Sequence, residues 1–207
     1  MSPVGAQDMR AKSMIYWEAR NTQSYRKLFE AAIKGNANWI QLITWNDYSE
    51  ATEISPSTGT QFSLYDLTAY YITWFKQGKA PTITDDVIYY SHRKHSLEAK
   101  PDPQKQPKLF KNLAPDAPCD EIECLVFAKA PATLSIAIQD TKWQFPVTAG
   151  LNEVRIPVQT GTPIFTLRRD DKVVATVKSA FEINNDITYQ NMLYHGGSSN
   201  RPVFGLD

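Results

Sequence analysis

NWIQLITWNDYSEATE, residues 38–53, joins an almost unbroken apolar run to a cluster of polar, acidic and aromatic side chains. Trp39, Ile40, Leu42, Ile43 and Trp45 make up the run, interrupted by Gln41 and Thr44. Such a segment reads as a strand buried on both faces, the kind that parallel sheets supply. Asn46, Asp47, Tyr48 and Glu50 follow at once. In barrels that alternate strands and helices, the loops at the C-terminal strand ends carry the chemistry, so two carboxylates just past a strand are candidate catalytic groups. On spacing alone the plainer reading comes first: an Asx turn at Asn46-Asp47 with solvated acids beyond it.

The flanks extend the same pattern. Upstream, Tyr25, Leu28, Phe29, Ala32 and Ile33 recur at three- and four-residue steps and predict a helix over 23–34. Thr22 or Asn21 is placed to cap it, and Gly35 to end it in a left-handed turn. Residues 8–21 before it form a long polar and aromatic loop whose composition argues against disorder. Residues 3–7 fit the tail of a strand. Downstream, turn formers at 55–59 lead into a second helix over 62–77, stopped by Gly78 and Pro81. Strand end, long loop, helix, strand, long loop, helix is the order expected of a parallel sheet covered by helices. It amounts to about the last quarter of a barrel that needs about 250 residues to close. A further short strand is expected at 87–90, beside a charged border of Asp85, Asp86, His92, Arg93, Lys94 and His95.

Three prolines in KPDPQKQP mark residues 100–107 as a linker or domain edge. Beyond it the apolar period changes to two. Segments 121–129, 133–139, 142–147, 152–158, 164–168 and 173–178 read as short strands separated by turn formers such as Asp170-Asp171. Closely spaced strands of this kind predict a β-sandwich. The tail from 188, after a short helical stretch, reads as loop, with His195 a loop residue beside Gly196-Gly197.

The whole chain has 207 residues, 42% of them hydrophobic, enough for a real core. Twenty-two basic residues balance 22 acidic ones, so nothing favours a nucleic acid or a charged membrane surface as partner. No apolar run approaches the length of a membrane span. MSPVGAQDMR lacks the apolar core of a signal peptide and, taken literally, is a cytosolic start. Cys119 and Cys124 match neither a zinc pair nor a redox CxxC, and their bonding is open. There is no metal cluster, phosphate-binding loop or GxSxG, and no cofactor is expected. Aromatics are rich at 12%; they suit stacking on sugar rings or filling a core.

PVGAQDMR, then IYWEARNTQSYRKLFEAAIKGNANWIQLITWNDYSEATEISPS, then LYDLTAYYITWFKQGKAP resemble the C-terminal part of glycoside hydrolase family 71, the α-1,3-glucanases or mutanases. The specific piece is a strand followed by WNDY, one small residue and Glu. The family usually has Gly at the place of Ser49, and often Ser-His-Tyr at Ala51, Thr52 and Glu53; these departures bear on bond specificity more than on the acid pair. The resemblance implies the end of a (β/α)8 barrel over residues 1–99, the linker, and a β-sandwich over 108–207. It implies an α-glucan polysaccharide as substrate, the rest of the barrel as a partner, and an extracellular or periplasmic setting. Asp47 and Glu50 match the catalytic carboxylates, with Glu50 expected as general acid, Asp47 as base and inversion preferred. Asn46 accompanies them. Trp45 and Tyr48 could stack on a sugar, with core packing an equal reading for Trp45. Gln7, Asp8, Arg10, Tyr16, Trp17 and Glu18 occupy a neighbouring strand-end loop, where half or more would be scaffold. The alternative is a non-catalytic carbohydrate-binding or structural remnant of such an enzyme.

Overall fold

The computed structural model describes residues 14–206. In chain order the elements are β1 (Ile15–Tyr16), α1 (Gln23–Lys34), α2 (Ser63–Gln77), β2 (Val87–His92), β3 (Lys111–Asn112), β4 (Glu121–Ala128), β5 (Ala132–Ile138), β6 (Thr141–Val147), β7 (Gly150–Pro157), β8 (Ile164–Arg169), β9 (Lys172–Lys178) and β10 (His195–Ser198). Strands β10-β2-β4-β7 form one antiparallel sheet and β6-β5-β8-β9 another. Both are open. Among the described residues the one parallel pairing is the two-residue ladder of β1 with β3.

Alternation along β4 sets the layers. Ile122, Cys124, Val126 and Ala128 point into a core shared with Leu134, Ile136 and Ile138 of β5 and with Phe165 and Leu167 of β8. The intervening Leu125 and Phe127 point the other way, onto Tyr25 and Phe29 of α1 and Leu64, Leu67 and Tyr71 of α2. A period of two therefore feeds two different apolar clusters from one strand. The same alternation aims Glu123 at the helices. It has no exposed surface. Arg26 of α1 donates to it at 2.9 Å and Arg155 of β7 at 2.6 Å. The Thr22 amide donates to its other oxygen at 2.9 Å, and the Thr22 hydroxyl donates to that same oxygen.

That contact changes how α1 starts. Thr22 makes no side-chain capping bond, because its hydroxyl serves Glu123 and accepts from Arg26 Nε. At the other end Gly35 has φ −81°, and the left-handed residue is Asn36 at +50°. Glycine is needed at 35 for another reason: a Cβ there would stand 2.9 Å from the Ala31 carbonyl oxygen. Gly78 ends α2 at φ +67°, as expected.

Residues 39–45 differ most from expectation. They pair with no strand, and Trp39 is 74% exposed. A strand buried on both faces needs neighbours on both edges and cover above and below. Here the extended partners lie in the two antiparallel sheets. The segment instead closes on its own loop, through Thr44 N to Thr52 O at 3.0 Å and Ile54 N to Thr44 O at 3.0 Å. The six strands expected beyond the linker all form, within two residues of the predicted ends. Asp170 and Asp171, both at positive φ, make the tight turn between β8 and β9. The border at 92–95 is not solvated as expected: His92, Arg93 and His95 are buried, because β2 runs on to His92 inside its sheet. The tail is not all loop either, since β10 pairs with β2. Cys119 and Cys124 are buried free thiols; burial pushes Cys119 up to about 11. No helix among the described residues is long and apolar enough to cross a membrane.

Removing the Glu123 carboxylate takes the buried shared partner from two arginines, leaving them Glu153 and, for Arg155, Glu121, and strips the Thr22 amide of its acceptor. Glu123→Ala should lower unfolding free energy by about 3–5 kcal/mol, read as a reduced urea midpoint. A loss under about 1 kcal/mol would mean the pairing contributes no more than a surface ion pair.

Candidate active site

Asp47 and Glu50 lie on one turn between the 39–45 segment and α2. Thr44 anchors the turn from beneath: its hydroxyl accepts from the Asp47 amide at 3.2 Å and meets the Thr52 hydroxyl at 3.0 Å. Thr52 N donates back to Asp47 O at 3.3 Å. Ser49 donates to Asp47 Oδ1 at 2.7 Å, holding that carboxylate against its own turn. The Tyr48 hydroxyl donates to Ser55 at 3.0 Å and so ties the turn to the returning chain. Asp47 is half-buried; Asn46, Tyr48 and Glu50 are exposed. The two acids thus share one turn, whose backbone these bonds hold.

Two clefts flank the turn. One, of about 460 Å³, runs between Tyr48, Glu53, Ser57, Gly59, His195 and Phe204. The other, of about 500 Å³, is apolar and lies along α2; Trp45 stands in it edge-on to Tyr65, with ring centroids 6.2 Å apart. Trp45 and Tyr48 therefore face different clefts.

The remaining predicted residues are placed elsewhere or lie outside the described part. Gln7, Asp8, Arg10 and the strand tail at 3–7 fall outside the described residues. Tyr16 is buried in β1, and Trp17 is 43% exposed. Glu18 is buried and fully engaged. It accepts from Arg93 Nη2 at 2.7 Å, the Tyr194 hydroxyl at 2.6 Å and the Arg20 amide at 2.6 Å. None of those partners belongs to the 45–50 turn.

Two residues at the first cleft were not predicted as site residues. Glu53 is buried, and its carboxyl is raised above the usual range, chiefly by burial and further by the Asp47 charge, with the Ser57 hydroxyl opposing. His195 is buried on β10, and burial holds its imidazole down to about 3, aided by the Lys94 charge. Glu53 carries no periodic signal in sequence. His195 does carry one: the adjoining glycines. A Cβ at Gly197 would meet the Tyr90 hydroxyl at 2.5 Å, and one at Gly196 the Ser63 hydroxyl at 2.7 Å, so HGG marks a strand pressed tightly between β2 and α2.

The sequence profile described as Glycosyl hydrolase family 71 matches residues 1–202. The glucan endo-1,3-alpha-glucosidase agn1 of Schizosaccharomyces pombe is 27% identical over 179 residues, covering 75% of this chain and 41% of that protein. The ascus wall endo-1,3-alpha-glucanase of the same yeast is 24% identical over 192 residues, covering 77% of this chain and 43% of that protein. The chain thus spans about two-fifths of the length of these curated relatives. No solved structure matches.

The buried ionisable groups at and behind the cleft make stability depend on pH. His92 is held down to about 4 by burial, and His195 to about 3, against about 6.5 in an unfolded chain. As pH falls below about 6.5 the unfolded chain takes up protons that these rings refuse. Their contribution is therefore full above that value and declines toward pH 4, by up to about 1.4 kcal/mol per pH unit for each ring. Glu53 has the opposite sign: its raised carboxyl favours the folded chain at low pH, and that contribution is lost as pH rises through the folded value. Thermal melts should show Tm dropping between pH 6.5 and 4, with a shallower drop in His92→Gln. A Tm unchanged across that window would contradict the assignment of neutral buried rings.

Proposed function

The chain belongs to glycosyl hydrolase family 71, and on that footing we propose that it is part of an enzyme that hydrolyses α-1,3-glucan, with Asp47 and Glu50 as its acid pair. The observation that carries this is the turn itself. The WNDY-small-Glu motif lies on a turn braced by Thr44 and Ser49, with Asp47 half-buried and Glu50 exposed, and this supports the reading. Glycoside hydrolysis needs one carboxyl to protonate the leaving oxygen and a second, ionised, to act on the other side of the sugar. Glu50, the more exposed of the two, is the general acid in this reading. Asp47, hydrogen-bonded by Ser49, is the base that activates water. Inversion requires the carboxyl groups about 6.5–9.5 Å apart with water between them; retention requires about 5–5.5 Å. Inversion is the preferred outcome.

In this reading the chain ahead of β2 supplies closing units of a (β/α)8 barrel, and the two antiparallel sheets, which take in β2 from the 1–99 stretch first assigned to the barrel, are a β-sandwich that braces them. The 39–45 segment, which joins neither sheet, is the strand that the rest of the barrel would flank. The names of the two yeast relatives support an α-1,3-glucan as substrate, and the ascus wall in the second name supports an extracellular place of action. Tyr48 and Asn46 would contact the sugar directly. Trp45, 57% exposed, lines the other, apolar cleft along α2.

The exposure of 39–45 favours a second reading, in which this chain binds glucan without cleaving it. Reducing-end release from α-1,3-glucan separates the two. Asp47→Asn and Glu50→Gln should each lower kcat by about 10²–10⁴ with KM little changed. Hydrolysis indifferent to both substitutions would remove the pair from the mechanism, and glucan binding without release would establish the second reading.

A further inference from the structure

Two buried polar atoms at the first cleft have no hydrogen-bond partner: Glu53 Oε2 and His195 Nδ1. Their residues are 6% and 8% exposed. Both line a small cavity of about 40 Å³ that shares Ala51, Gly59 and Leu193 with the wider cleft. One water needs on the order of 10–15 Å³ by this measure, so the cavity admits a hydroxyl or hydroxymethyl group but no ring. An orphan buried polar atom costs the fold stability unless something fills its valence. Two such atoms lining one cavity point to a missing occupant.

The hydrogen bonds fix which atom donates. Asn191 Oδ1 accepts from the Leu193 amide at 3.0 Å, which orients the side-chain amide. Its Nδ2 then faces His195 Nε2 at 3.2 Å and donates to it. A ring nitrogen that accepts carries no proton, so the neutral imidazole bears its proton on Nδ1. The cavity therefore holds a donor at Nδ1–H and an acceptor at Glu53 Oε2. A hydroxyl satisfies both at once, by accepting from the ring and donating to the carboxyl; an apolar substituent satisfies neither.

We propose that Glu53 and His195 form a hydroxyl-binding subsite for one glucose unit of the glucan, with Glu53 Oε2 accepting and His195 Nδ1–H donating. The assignment rests on the glucan reading above and adds a specificity element to it. Position 53, where the resemblance leads one to expect a tyrosine, carries a carboxyl in this chain. The cleft that contains the subsite begins at Tyr48, on the acid-bearing turn, and Asp47 lies near enough for its charge to act on Glu53. A sugar hydroxyl seated here would set the register of the chain over Asp47 and Glu50.

Two substitutions test this through different physics. Glu53→Met keeps the bulk and removes the acceptor. Gly59→Ala adds a methyl whose nearest neighbour is His195 Nδ1 at 3.7 Å, an ordinary contact that narrows the cavity without a clash. The probe is a tetraose of α-1,3-linked glucose, titrated calorimetrically into the whole chain. Both variants should lose fivefold or more in affinity, and Glu53→Met should melt no lower than the unsubstituted chain, because it removes a buried carboxyl with one oxygen unpartnered. A role confined to holding the fold would lower Tm and leave affinity alone. A smaller affinity loss in either folded variant overturns the subsite and means that water alone fills the cavity. So does failure of the unsubstituted chain to bind the tetraose at millimolar concentration. Should Glu53→Met not fold, the Gly59→Ala titration decides alone. Neither result depends on turnover, so the subsite can fail while the acid pair stands, and the reverse.

Discussion

A carboxylate with no exposed surface lies in the middle of β4, on the face covered by the helices. An ionised carboxylate moved from water to such a place is tolerated only when charge and hydrogen bonds replace its hydration. Glu123 receives both from three directions: Arg26 from α1, Arg155 from β7, and Thr22 from the start of α1. Arg26 and Arg155 also reach Glu153 at 2.7 and 2.6 Å, so neighbouring strands share the two guanidinium groups. The geometry leaves little freedom. Each guanidinium is a planar fork, and satisfying several carboxylates at once sets the height and rotation of α1 over the sheet.

Once α1 is seated, the placement of the cleft follows by packing. Phe29 of α1 stacks on Tyr71 of α2 with centroids 5.1 Å apart, and the Tyr25 hydroxyl meets Thr68 at 2.8 Å. The start of α2 presses Ser63 against Gly196 of β10, close enough that no side chain fits between them. His195 opens β10, and Glu53 lies in the loop that leads into α2. The subsite is thus assembled where three independent elements converge, and its two orphan atoms are held by backbone that has little room to relax. A second buried pair, Glu18 with Arg93, does the same for the tail: Arg93 also donates to Met192 O at 3.0 Å and lies 4.1 Å from the Tyr194 ring centroid.

What could be read in advance divides along a physical line. Period-two strands such as β5 and β8 were legible because a strand with one wet and one dry face writes that pattern directly into the sequence. Helix α1 was legible for the same reason at a different period. The apolar run at 39–45 misled, since continuous hydrophobicity reports what a strand could be buried by, and not whether those neighbours are paired with it. His92, Arg93 and His95 misled in the opposite sense: charged residues in a row read as surface, yet their partners at Glu18, Ser179 and Asn191 are far away in sequence. Glu123 reads as an outward residue of an amphipathic strand until a helix covers that face. At the site, the acid-bearing turn was legible through its motif, while Glu53 and His195 acquire meaning only when residues about 140 positions apart line one cavity.

The contrast among the three carboxylates of this loop bears on how a cleft of this kind could work. Glu50 is exposed, Asp47 is half-buried and held by Ser49, and Glu53 is buried beneath them. Acid and base roles require groups whose surroundings differ, and burial is the largest lever available to a protein for making them differ. Among these three the surroundings already differ, wet at Glu50 and dry at Glu53. On the proposed reading, a glucan laid across the turn would displace water from the upper carboxyl groups while its hydroxyl entered the dry end at Glu53 and His195. The interaction at the dry end would then position the chain, and the loss of water at the wet end would strengthen every charge acting on the glycosidic oxygen. Binding energy gained away from the scissile bond would be realised as orientation at it.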